Sequence, residues 1–183
     1  MEYKPPKLDF NETIKIIDKT VQKYISYIKS GISKEKPGSE DFMNSYNLIP
    51  PFCDRGDRNC EQLFYYYCET IKKFILNYQN ELINHNSIDD YLECIEKNNS
   101  FIYFMKRMFI YLDRFYMYQK VKRTLSRIAM DIYKSIIFEE IKQKKIPIFN
   151  EIDKLINEER SGNKRLKDKI KRCLSFIKML DFF

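Results

Sequence analysis

A chain of 183 residues is long enough for one full hydrophobic core. Its 44% hydrophobic and 32% charged residues exclude a disordered polymer, and only 4 glycines with no tryptophan argue against a turn-rich all-β fold. The net charge of +7 is concentrated late: from Lys142 to Phe183 twelve Lys or Arg face six acids, a net of +6.

Residues 1–8 ("MEYKPPKL") read as a flexible tail with no signal peptide. Asp9 or Asn11 is suited to cap a helix through "ETIKIIDKTVQKYISYIKSGI". In it Ile14, Ile17, Val21, Tyr24, Ile25 and Ile28 form one stripe, and Gly31 ends it. Ser39 or Asp41 opens a short helix, "EDFMNSYNLI", which Pro50-Pro51 is expected to stop or kink. A long helix, "CEQLFYYYCETIKKFILNYQNELI", keeps the helical period and ends near "NHNS". The next helix begins at Ser87 or Ile88 and is expected to run unbroken to about Gln119, roughly 45 Å at about 1.5 Å per residue. Such a length suits a rod.

Within that helix, "FIYFMKRMFIYLDRFYMYQK" (residues 101–120) is too interrupted by Lys106, Arg107, Asp113 and Arg114 to span a bilayer. The two charged pairs are seven residues apart and form a polar strip opposite a wide aromatic face, so the helix is expected to be buried on most of its circumference. "KVKRTLSRIAMDIYKSIIFEEIKQKK" is a further helix, and Pro147 marks a junction. "IPIFNEIDKLINEER" then runs to a break at Ser161-Gly162. The last helix, "KRLKDKIKRCLSFIKMLDFF", places Leu166, Ile170, Cys173 and Leu174 on its apolar side and its lysines on a solvated face. Its apolar end, Phe182-Phe183, reads as an interrupted core. The helix, glycine-containing break and helix near the end echo the order near the start, as successive repeats of a helical solenoid would.

Little encodes chemistry. There is no phosphate loop, GxSxG elbow or HExxH, and the single histidine, His85, lies in a polar turn. Cys53, Cys60, Cys68, Cys94 and Cys173 have irregular spacings without a CxxC pair, which fits neither zinc nor a disulfide framework. No catalytic residue, metal or cofactor is expected. The thiols are expected to be reduced in an intracellular compartment, cytoplasmic or nuclear. An interaction protein remains, with Phe42, Met43, Tyr46 and Ile49 of the short helix as candidate contacts; core packing is the competing role at each position.

Several segments together resemble the N-terminal region of cullins, the scaffolds of multisubunit ubiquitin ligases. "IYLDRFYM" (Ile110 to Met117) is similar to the family's YLDR-aromatic signature, and "LINEERSGN" (Leu155 to Asn163) to its L-I-x-x-E-R-x-G-E run, with Asn163 in place of Glu. "IAMDIYKSIIF" sits between them where cullins carry a tryptophan and an arginine, here Tyr133 and Lys134. "LFYYYCETIKKFI" resembles the third cullin helix. "FMNSYNLIPPFC" resembles the second, with Ser45 replacing Leu and Pro50 replacing Tyr.

The resemblance implies an all-α, elongated helical solenoid of cullin-repeat type, with a first repeat of five helices over 9–145 and the start of a second over 146–183. It also implies a non-catalytic scaffold that docks a BTB/POZ-fold (Skp-like) adaptor and hence a substrate receptor. Carried over by position, the docking face is Phe42, Met43, Tyr46 and Ile49 with Lys120, Arg123, Ser126 and Arg127. Ser45, Pro50 and Ser126 reduce it. RING-subunit and ubiquitin-like-modifier sites of the family lie in a C-terminal region that these residues do not include. A basic helical nucleic-acid-binding module is the alternative, disfavoured because the late basic run reads as a solvated face. A divergent relative of the anaphase-promoting-complex type would differ only in partner.

Overall fold

Asp9 starts the first helix as a capping box. Its carboxylate accepts the Glu12 N–H at 2.8 Å and the Glu12 carboxylate accepts the Asp9 N–H at 3.0 Å, satisfying two amides that a helix start leaves unpaired. The computed structural model describes residues 9–30, 36–82, 87–144 and 148–179. Every regular element among them is helical: α1 Phe10–Ser30, α2 Ser39–Tyr46, α3 Ile49–Cys53, α4 Asp57–Leu82, α5 Ile88–Met108, a single turn α6 Ile110–Leu112, a π-helical segment Asp113–Val121, α7 Leu125–Lys144, α8 Ile148–Arg160, a short 3₁₀ turn Lys164–Leu166, and α9 Lys167–Met179. Gly31, His85, Pro147 and the Phe182-Phe183 end, all given roles above, lie outside the described residues.

Three expectations about the helices need correction. Pro50-Pro51 do not stop the second helix. It ends earlier, at Tyr46, and the prolines sit in the first turn of α3, where a missing N–H leaves no helical bond unmade. The helix from Ile88 does not run unbroken to Gln119: it turns at Phe109 and then winds as a π segment, closed by a 2.7 Å bond from the Lys122 N–H to the Met117 carbonyl. The following helix begins at Leu125 rather than Lys120, because Lys122 is left-handed (φ 54°) and interrupts the winding. Asp113 reaches across this break, and its carboxylate accepts the Leu125 N–H at 2.7 Å.

The chain forms two compact units, Met1–Phe74 with Asn99–Met130, and Ile75–Asn98 with Asp131–Phe183. In the first, α2 is pinned to α1 by a polar relay. The wholly buried Ser45 hydroxyl donates to the Thr20 hydroxyl at 2.8 Å, and Thr20 donates to the Asp41 carbonyl at 3.2 Å. Nearby, the Lys23 ammonium donates to both Asp41 carboxylate oxygens at 2.8 Å and holds that carboxyl below its ordinary range. With the folded value depressed, this pair's contribution is present above the unfolded carboxylate range and is lost as pH falls through the folded value. Lys23→Met should raise the Asp41 midpoint in a carbon-detected NMR titration; an unchanged midpoint would exclude the pair as the cause.

Aromatic contacts carry the rest of this unit. Tyr24 stacks on Phe104 with centroids 3.9 Å apart and shares a 3.0 Å hydrogen bond with the Ser100 hydroxyl. Phe74 stacks on Phe101 at 4.0 Å. Tyr67, fully buried, meets the Phe109 ring edge-on at 5.6 Å and donates to the Leu125 carbonyl at 3.3 Å. Its phenol is thereby desolvated without being orphaned, which is the condition for burying such a group cheaply.

In the second unit Ser87 and Asp90 cap α5, the Asp90 N–H donating to Ser87 Oγ at 3.3 Å and the Ser87 N–H to the Asp90 carboxylate at 3.2 Å. The Glu151 carboxylate accepts the Ile88 N–H at 3.0 Å, joining α8 to the start of α5. Tyr91, Leu92, Cys94, Tyr133, Ile137, Ile152, Cys173 and Ile177 are buried. Leu174, expected on the apolar side of α9, is about half exposed. The break in "ERSGN" ends α8 by a specific device. The Gly162 N–H donates to the Glu159 carbonyl at 3.0 Å and the Asn163 N–H to the Glu158 carbonyl at 3.3 Å, while Gly162 takes φ 115°. This paired closure needs a left-handed residue, which glycine supplies without a Cβ penalty.

Candidate protein-interaction surface

The expected contact residues fall into two groups within the first unit. On α2, Phe42 is half-buried. It presents its edge to Phe104 at 5.8 Å and lies under the Arg107 guanidinium at 5.7 Å. Met43, 45% exposed, faces out, and Tyr46 is half-buried. Ile49 does not belong to the surface: it is wholly buried at the start of α3. Beside Phe42 opens a cleft of about 290 Å³ whose walls include Tyr24, Met43, Tyr103 and Arg107.

The second group surrounds the π segment and the start of α7. Lys120 is exposed and paired with Asp57 at 2.8 Å, and that hydrogen bond raises the ammonium's already high pKa. Arg123 and Arg127 are exposed and Ser126 is half-buried; the Arg127 N–H donates to the Thr124 hydroxyl at 3.3 Å. A larger cleft, about 600 Å³, is lined by Asp113, Tyr118, Gln119, Lys122, Arg123 and Thr124. Between the two groups, α3 packs on α6, and the Tyr111 hydroxyl donates to the Asp54 carboxylate. This bond favours the protonated phenol, whose pKa is raised to about 12.

Sequence reasoning missed several surface residues. Tyr103 (61% exposed), Phe115 (51%) and Tyr118 (78%) stand on the surface of a stretch expected to be buried on most of its circumference. Phe115 and Tyr118 lie on the π segment. Its i→i+5 bonds advance the side chains out of phase with a 3.6-residue period, so a face counted at α spacing drifts off target. Tyr103 had a usable signal, because it stands four residues before Arg107 and the guanidinium lies 5.9 Å from its ring.

Groups that might react are instead held quiet. Burial raises the thiols of Cys53 and Cys60, which lie together, and pushes Cys68 up to about 11, far from the thiolate range of a nucleophile at neutral pH. Among the described residues no cluster of His, Cys, Asp or Glu is arranged to hold a metal, and no helix is long and apolar enough to cross a membrane. The late basic run is partly structural: Lys169 pairs with Asp89 at 2.7 Å, and Arg172 pairs with Glu96.

Among the described residues every regular element is helical, aromatics and cations are exposed on the first unit, and the class is an all-α protein. The chain belongs to the cullin family, whose alpha solenoid domain model matches residues 16–182. Cullin-1 of Oryza sativa subsp. japonica is 25% identical to it over 167 residues, which cover 86% of this chain and 22% of that relative. The chain thus spans less than a quarter of the relative's length. No solved structure matches it.

Proposed function

We propose that this chain is the adaptor-binding arm of a cullin-type ubiquitin ligase scaffold, and that it docks a BTB/POZ-fold (Skp-like) adaptor and through it a substrate receptor. In this reading residues 9–145 form a first cullin repeat and 146–183 begin a second. One observation carries it. The eight-residue helix α2 is fixed to α1 by the buried Ser45–Thr20–Asp41 relay, and so presents Phe42, Met43 and Tyr46 on a rigid base. A partner meeting preset aromatics loses little side-chain entropy on binding, and affinity in such interfaces concentrates in a few aromatic anchors.

The test is calorimetry against a panel of purified BTB-fold adaptors. At least one should bind, and Phe42→Ala with Tyr46→Ala should weaken it by about a hundredfold, in line with two anchors of moderate strength. Circular dichroism should confirm that the double variant is folded. The reading is overturned if no adaptor binds, or if the folded double variant binds as tightly as the parent.

A further inference from the structure

We infer that the π-helical end of the first unit docks an acidic polypeptide segment that carries at least one aromatic or aliphatic side chain. The segment itself is strongly cationic, with Asp57 and Glu61 of α4 as the acids nearby. Between Asp113 and Arg127 five Lys or Arg accompany one acid, and that acid, Asp113, is already engaged with the Leu125 N–H. Lys120 is answered by Asp57, and the remaining cations include the exposed Arg114 and Lys122. Tyr118, more than three quarters exposed, lines the 600 Å³ cleft, and Phe115 on the same segment is about half exposed and packs against Tyr111 at 4.5 Å. Exposed aromatics of this size at one site are characteristic of recognition surfaces.

The backbone gives an independent reason. A nine-residue π helix is rare, and it ends in a lysine at φ 54°, a conformation that residues with a Cβ seldom adopt. Tyr118 and, past the left-handed turn, Lys122 both stand on the wall of the cleft. Cations alone would suit any polyanion. Apolar surface beside them favours a polypeptide that supplies both carboxylates and a side chain for the cleft. The inference rests on the adaptor reading only in expecting a protein partner at the start of α7; it adds the chemistry of the partner's contact segment.

Fluorescence anisotropy with a short labelled peptide of Asp and Glu containing Phe tests it. The whole chain should bind this peptide at least about tenfold more tightly than its Asn/Gln counterpart, and affinity should fall as salt rises. Arg114→Gln with Lys122→Asn should remove most of that preference. Asparagine tolerates the left-handed turn, so the second change removes charge without adding strain. Phe115→Ser with Tyr118→Ser should weaken binding of the acidic peptide at unchanged salt dependence.

Equal binding of the acidic and amide peptides, no binding of either, or tighter binding of a short oligouridylate than of the acidic peptide would overturn the inference; the last would assign the site to nucleic acid. A BTB adaptor that binds through Phe42 and Tyr46 while the peptide fails leaves the adaptor reading intact. Peptide binding with no adaptor bound has the opposite meaning.

Discussion

Phe101→Ala should destabilise the chain by about 3–5 kcal/mol in urea unfolding followed by far-UV circular dichroism. Phe101 is wholly buried in α5, and its ring stacks on Phe74 of α4 with centroids 4.0 Å apart and planes 25° from parallel. Truncation removes the transfer free energy of the ring, leaves a cavity between two long helices that close only partly, and loses the stacking term of about 0.5–1.5 kcal/mol. Tyr103→Ala, two residues away but largely exposed, should change stability by no more than about 0.5 kcal/mol. Similar losses for both variants would show that Phe101 is not the core residue described above.

Ser45→Leu should cost about 2–4 kcal/mol. Ser45 is wholly buried and its hydroxyl is the first donor of the relay to Thr20 and Asp41. A leucine overfills the space for roughly 1–3 kcal/mol, and it leaves the Thr20 oxygen without its donor for about 1 kcal/mol more. Ser45→Ala should cost only the second part. Thermal unfolding of the two variants separates the terms, and a leucine variant as stable as the parent would mean that α2 is free to lift from α1. Ser45 thus serves the α1–α2 contact from the buried side of α2.

Where the chain winds at 3.6 residues per turn, the sequence was a good guide. Ile17, Val21, Tyr24 and Ile28 were assigned to the buried stripe of α1 and are buried, and Asp9 and Ser87 both cap. Gly162 was legible as a break because a left-handed helix end is a local property of glycine. The failures arise where tertiary contacts override local pattern. Ile49 continues the i, i+4, i+7 series from Phe42, but the Asn47–Leu48 turn rotates it inward, which no periodicity count reveals. The π segment is the larger failure. Nothing in "DRFYMYQKV" distinguishes it from an α helix by composition, and Phe115 and Tyr118 are exposed in a stretch expected to be mostly buried.

The bond from the Leu125 N–H to Asp113 has a consequence for how this region opens. Asp113 is the first residue of the π segment and Leu125 the first of α7, so one carboxylate closes the whole intervening loop. Unwinding the π turn withdraws that acceptor and exposes the amide end of α7 in the same event. Local opening is therefore cooperative across both elements, and the aromatics and cations they carry are ordered or released as a set rather than one side chain at a time.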